Sequence, residues 1–138
     1  MNKMSLSFPA KMENESFART CVVSFLMPLD PTTQEVMEIK TIVAEGVVNA
    51  MIHGYSGNPE GMIHVEVGYD KNRLVTIIIS DFGIGIENVE LAMQPLYTSR
   101  KDLERSGMGM SIMSTFADSF DCFSKVDHGT KLVIQKQL

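Results

Sequence analysis

The period of apolar and polar positions changes several times along this chain, and each change marks an element. Met4-Ser5-Leu6-Ser7-Phe8 alternates, as a half-buried strand does, and Pro9 closes the run. From Glu13 to Met27 apolar residues recur at helical spacing, with Phe17, Cys21 and Phe25 expected as the buried stripe and Val22 beside it. Glu13 and Glu15 suit the positive end of that helix, and Pro28 and Pro31 stop it. Thr32 or Thr33 caps a second helix running to about His53, with Glu35 placed for a capping box and Gly54 as its terminator. Its apolar arc comprises Val36, Ile39, Val43, Val47 and Ala50, interrupted by a snorkelling Lys40.

Turn residues from Ser56 to Gly61 predict a loop. Met62 to Tyr69 and Leu74 to Ser80 read as strands joined by a turn at Asp70–Arg73. Glu87 to Met93 suits a short helix, and Gln94 to Ser106, polar and holding Pro95, a mobile loop. Gly109 to Ala117 is a further helix. Phe120 to Lys125 and Lys131 to Gln135 close the chain as a hairpin around Asp127-His128-Gly129. The whole pattern predicts an α+β fold in one domain, residues 1–138, with helices on one face of a mixed, mainly antiparallel sheet.

Composition narrows the function. The 138 residues fit a single core. A net charge of −5 without a long Lys/Arg cluster argues against direct nucleic-acid binding. Cys21 and Cys122 lack metal-ligand spacing and read as buried thiols of a reducing compartment. No apolar run suits a signal peptide or a membrane span, so a cytoplasmic protein is expected.

Three motifs carry the candidate chemistry. In Glu45-x-x-x-Asn49-Ala50-x-x-His53-Gly54, Glu45 and Asn49 stack one turn apart, off the apolar arc. An Asn carbonyl suits Mg²⁺ when phosphates and water complete the shell, and a neighbouring carboxylate can take a proton. Gly46 costs the helix about 1 kcal/mol relative to Ala, for no reason visible in the sequence. In Asp81-x-Gly83-x-Gly85 the carboxylate can accept from an adenine amine, and glycines let backbone approach a ligand. Asp81-Phe82-Gly83 also spells the metal-binding tripeptide of protein kinases, but the companion motifs are absent. In Arg105-x-Gly107-Met108-Gly109 a glycine turn enters a helix, where backbone N–H groups attract phosphate and Arg105 can reach the outermost one. Thr98 and Ser99 lie in the loop before it, placed to touch nucleotide on closure. His53 is expected to finish its helix beside Gly54, with His64 and His128 as strand and turn residues. Together the motifs describe an ATP-dependent phosphoryl-transfer site without a Walker A loop.

These motifs resemble the N, G1 and G2 boxes of the gyrase–Hsp90–histidine-kinase–MutL ATPase superfamily. Asn14-Glu-Ser-Phe-Ala-Arg19, Glu38-Ile-Lys-Thr41 through Tyr55, Gln94-Pro-Leu-Tyr-Thr98 and Leu103-Glu-Arg105 through Gly109 further resemble the anti-sigma-F factors of spore-forming bacteria. The resemblance implies a two-layer Bergerat ATP-binding fold under a short lid. It also implies a serine-protein kinase that uses ATP and Mg²⁺, binds a sporulation sigma factor and phosphorylates an anti-anti-sigma factor. By position, Glu45 corresponds to the base, Asn49 to the metal ligand, Asp81 to the adenine acceptor, Gly107 and Gly109 to the phosphate turn, Arg105 to the arginine near the terminal phosphate, and Thr130 to a strand residue beside adenine. Gly46 replaces an expected Ala. Arg19 falls where the family meets its partners, and the helix pattern sets it about 160° from the centre of the expected buried stripe. The alternatives are a stress-response (sigma-B type) kinase and a non-catalytic ATP-dependent binding module; retention of Glu45 argues against the latter. A histidine-kinase catalytic domain would need a phosphoacceptor helix, which no His here provides. A homodimer is expected, through the stripe Met4, Leu6 and Phe8 or the helix face Phe17, Cys21 and Phe25.

Overall fold

In a computed structural model, which describes residues 1–94 and 109–138, the chain runs β1 (Asn2–Pro9), α1 (Met12–Leu26), α2 (Thr33–Asn49), β2 (Met62–Tyr69), β3 (Leu74–Asp81), α3 (Val89–Ala92), α4 (Gly109–Phe116), β4 (Ser119–Lys125) and β5 (Gly129–Gln137). The five strands form one sheet in the order β1-β2-β3-β5-β4. Every pairing is antiparallel, so the mixed sheet expected above is corrected to a wholly antiparallel one among the described residues. The α+β assignment holds. Short turns explain the pairing: the β2–β3 and β4–β5 connections are hairpins, with Asp70 accepting from the backbone N–H of Asn72 and Leu74.

Alternation along β3 divides the sheet. Val75, Ile77, Ile79 and Asp81 are buried, while Thr76, Ile78 and Ser80 are half-exposed. The buried side meets Ile39, Ile42, Val43 and Val47 of α2, all fully enclosed. Each such side chain contributes about 1.5–3 kcal/mol of burial free energy. α2 starts as expected: Thr32 accepts from the Glu35 N–H and Glu35 accepts from the Thr32 N–H. Its buried arc takes in Ile42 and Gly46, while Val36 is half-exposed and Lys40 is exposed. Its end differs from expectation, because Ala50–Gly54 widen into a π-helical turn in which the Tyr55 N–H donates to the Ala50 carbonyl. Such turns are rare and favour functional sites.

α1 is rotated from its expected setting. Ala18, Val22 and Leu26 are the buried residues, Phe25 packs its ring 5.4 Å from Tyr69, and Phe17 is 56% exposed. The small Ala18 was the missing signal, since a helix packs close through small side chains. Arg19 therefore lies about 60° from the centre of the buried stripe, not opposite it. Its Nε is 3.0 Å from Glu15 Oε1, paired by charge without a well-aimed hydrogen bond. Of the stripe Met4, Leu6 and Phe8, Phe8 is buried in the core, while Met4 and Leu6 are half-buried and pack against it. The two thiols are half-buried and unpaired. No described helix is long and apolar enough to cross a membrane.

Candidate functional site

Along α2, Glu45, Asn49 and His53 recur every fourth residue and so line one edge of the helix and its π-helical end. That edge forms one wall of a cavity of about 870 Å³. The rest of its lining includes Ile84, Gly85 and Ile86 after β3, Asn88 at the start of α3, Asp127 in the β4–β5 turn, and Gly109 and Met110 at the start of α4. The volume suits a nucleotide-sized ligand. Gly109 sits against the base candidate: a Cβ there would lie 2.9 Å from Glu45 Oε2. Glu45, Asn49, Gly85 and Gly109, from three separate motifs, thus share one cavity.

Asp81, Gly83 and Thr130 are placed differently, since none of them lines that wall. Asp81 and Thr130 are each 5% exposed and face one another across the β3–β5 ladder. Asp81 Oδ1 accepts from the Gly83 N–H at 2.9 Å. Burial raises the Asp81 pKa, and backbone hydrogen bonds from Gly83 and Thr130 partly offset the rise. Thr130 Oγ1 and Ser124 Oγ are 2.8 Å apart, and Ser124 Oγ also takes the Ile86 N–H. A small polar network therefore ties the end of β3 to the wall. The nearby Cys122 thiol is pushed up to about 11, first by burial and then by the Asp81 charge.

Gly83 and Gly54 explain this layering. A Cβ on Gly83 would lie 1.9 Å from the Gly54 carbonyl oxygen, and one on Gly54 would lie 2.8 Å from Asp81 Cγ. Gly83 thus serves a close approach of backbone to backbone, where the sequence suggested approach to a ligand. The Ile84 N–H then donates to the Gly54 carbonyl, and the Asp127 N–H to the Ile84 carbonyl. Tyr55, its pKa raised mainly by burial, accepts from the Phe82 N–H and donates to the Met62 carbonyl. Gly46 also finds its reason, because a Cβ there would come 2.3 Å from Ile79 Cδ1.

His53 and Asp127 are wall residues that sequence reasoning assigned to a helix end and a turn. The signal for His53 was present: it continues the four-residue spacing of Glu45 and Asn49. Asp127 carried none, since its place depends on how the hairpin folds over Ile84. His64 and His128 occupy a strand and a turn as expected. The cavity wall bears Glu45, Glu87, Glu90 and Asp127 and, among the described residues, no lysine or arginine. Thr98, Ser99, Arg105, Gly107 and Met108 lie outside the described residues, as does most of the expected loop.

Comparison with known proteins agrees with this arrangement. A family model, the histidine kinase-like ATPase domain, matches residues 8–136. The chain is 51% identical to the anti-sigma F factor of Clostridium beijerinckii, covering 99% of this chain and 94% of that one. It is 50% identical to the anti-sigma F factor of Priestia megaterium, at 99% and 93% coverage. Among solved structures it resembles the RsbU and RsbW domains of Rv1364c from Mycobacterium tuberculosis, with a TM-score of 0.72 at 14% identity, over all of this chain and 33% of that one. The SiaB–SiaC complex of Pseudomonas aeruginosa is similar in fold, with a TM-score of 0.61 at 9% identity, over 98% of this chain and 89% of that one. A cavity that gathers a carboxylate, an amide and two glycines under a helix start, in a chain half identical to these relatives, assigns the protein to the histidine kinase-like ATPase family and, within it, to the anti-sigma F factors.

Proposed function

We propose that the cavity binds ATP with Mg²⁺, that the nucleotide-bound protein holds and inhibits a sporulation sigma factor, and that it transfers the terminal phosphate to a serine of an anti-anti-sigma protein. The observation that carries this reading is the contact of the Glu45 carboxylate with the first residue of α4, in the cavity that Asn49 also lines. The names of the relatives support the sigma-factor role, and the fold supports an ATPase.

In this reading Glu45 takes the proton of the serine hydroxyl. The serine oxygen bonds to the terminal phosphorus as the bond to the bridging oxygen breaks, and ADP leaves with that electron pair. The N–H groups where α4 begins face the phosphates, and Arg105 reaches the outermost one. Asn49 would hold Mg²⁺ through its side-chain oxygen. Bound there, the ion would neutralise phosphate charge, which fits a wall that shows four carboxylates and, among the described residues, no lysine or arginine. Asp81 accepts from the adenine amine through its small exposed remainder. Guanine offers a carbonyl at that ring position, so adenine is preferred. Arg19 meets both protein partners, and the exposed Phe17 on the same helix suits a homodimer contact. The protein works in the cytoplasm.

Glu45→Ala should abolish phosphoryl transfer and leave ATP affinity near its original value, because a base acts mainly in the transition state. Transfer at the normal rate by that variant would refute the assignment. ATP binding with no transfer by the unaltered protein would favour a pure binding module.

A further inference from the structure

We propose that Lys136, on the last strand, is a positioning residue for the nucleotide site, clamping α4 so that its first turn stays against Glu45. The inference rests on the nucleotide reading above and extends it to residues outside the cavity. Lys136 is a buried cation that the proposed chemistry does not use. Its Nζ lies 2.8 Å from Glu38 Oε2 on α2 and donates to the Phe116 carbonyl at the end of α4, at 2.9 Å. The ammonium, with Gln34 assisting, holds the Glu38 carboxyl below the usual range.

The spacing makes the clamp specific. Glu38 and Glu45 are seven residues apart on α2, and Phe116 and Gly109 are seven apart on α4. Each separation spans about 10 Å of helix. The two helices pack antiparallel, with Glu45 against the start of α4 and Glu38, through Lys136, against its end. α4 has eight residues, too few to hold a helical shape or place without tertiary contacts. It also has no basic residue in its last turn, so Lys136 supplies from β5 the cation that a helix C-terminus favours. Without it α4 keeps the burial of Met110 and Met113, and Asp118 just beyond it stays bonded to β5, but its last turn loses the tie to Glu38 of α2. Gly109 then drifts from Glu45, and the phosphate-facing N–H groups drift with it.

Calorimetric titration of ATP and of AMP separates positioning from general stability. Lys136→Met should weaken ATP binding about 10- to 100-fold, the worth of one hydrogen bond to a charged phosphate, and leave AMP affinity unchanged. Glu38→Gln, which keeps the bond to Phe116, should show the same ATP-selective pattern at smaller size, and it carries the comparison alone should Lys136→Met not fold. Equal losses for ATP and AMP, or no loss for either, would overturn the clamp. An unaltered protein that bound no ATP would overturn the nucleotide reading, and the clamp's role with it.

Discussion

Gly46→Ala tests how closely α2 is seated on the sheet. The added methyl improves helix propensity by about 1 kcal/mol. It also enters the place of Ile79 Cδ1, at 2.3 Å, well inside the ordinary contact of about 3.5–4.0 Å. Overpacking of this kind costs about 1–3 kcal/mol, so the single variant should be neutral to about 2 kcal/mol less stable. Ile79→Val removes the offending carbon and alone costs about 0.5–1.5 kcal/mol. Combined, the two changes should be mutually favourable. The nearest remaining atoms, Met113 Sδ at 3.5 Å and Ile79 Cγ1 at 3.6 Å, are ordinary neighbours for a methyl group. Urea unfolding of the four proteins, at constant m, should give a coupling of about 1–3 kcal/mol. Additivity within about 0.5 kcal/mol would refute the account of Gly46.

Asp81 has a raised pKa when folded, so the folded state holds its proton more tightly than the unfolded state. Its ionisation therefore costs stability at neutral pH, and the cost is relieved as pH falls through the raised pKa. The stability of the unaltered protein minus that of Asp81→Asn should shift in favour of the unaltered protein as pH falls from neutral toward the ordinary Asp range at about 4, read by denaturant midpoints; a difference that stays constant over that whole range would contradict the burial argument. Gly83→Ala should destabilise by about 3 kcal/mol or more, because its Cβ meets the Gly54 carbonyl at 1.9 Å and no side chain can be trimmed to relieve it; a melting temperature near the original would refute this. Arg19→Ala should cost up to about 1 kcal/mol of stability, since its i,i+4 pair with Glu15 is half-exposed at Arg19 and mostly enclosed at Glu15. The same change should weaken both protein partners about tenfold or more and leave ATP affinity alone; unchanged partner affinities would place the shared surface elsewhere.

What the sequence disclosed follows the range of the forces involved. The Thr32–Glu35 capping box, the alternating strands and the hairpin turns depend on residues a few positions apart, and they stand where the pattern put them. The face of α1 was misjudged because Phe17 outweighs Ala18 on any hydropathy count, whereas close helix packing selects the small residue. Gly46 was opaque for a related reason, since its cause is a methyl group on β3, more than thirty positions away. Glu45, Asn49, Gly85 and Gly109 were legible as one site because each motif carries its own chemistry. That Asp81 and Gly83 would sit behind the wall, with His53 and Asp127 on it, depended on tertiary placement.

The burial of Asp81 links stability to recognition. Gly54, Gly83 and Gly129 each come so close that a Cβ would strike the Asp81 carboxylate, the Gly54 carbonyl or the Asp81 carbonyl, respectively. Three elements distant in sequence therefore close around one carboxylate, through backbone that only glycine permits. The result is a poorly solvated acceptor whose orientation is fixed by the Gly83 N–H before any ligand arrives. Such an acceptor rewards an amine donor and penalises a carbonyl more sharply than a solvated carboxylate would, because a mismatched partner leaves it unpaired at low dielectric. In the proposed reading, Asp81 gives up folding stability for that selectivity. Glu45 is instead half-buried on the cavity wall, where the proposed base could exchange its proton. In the proposed reading the two acids thus serve different ends through different burial: one would select the base, and the other would move the proton.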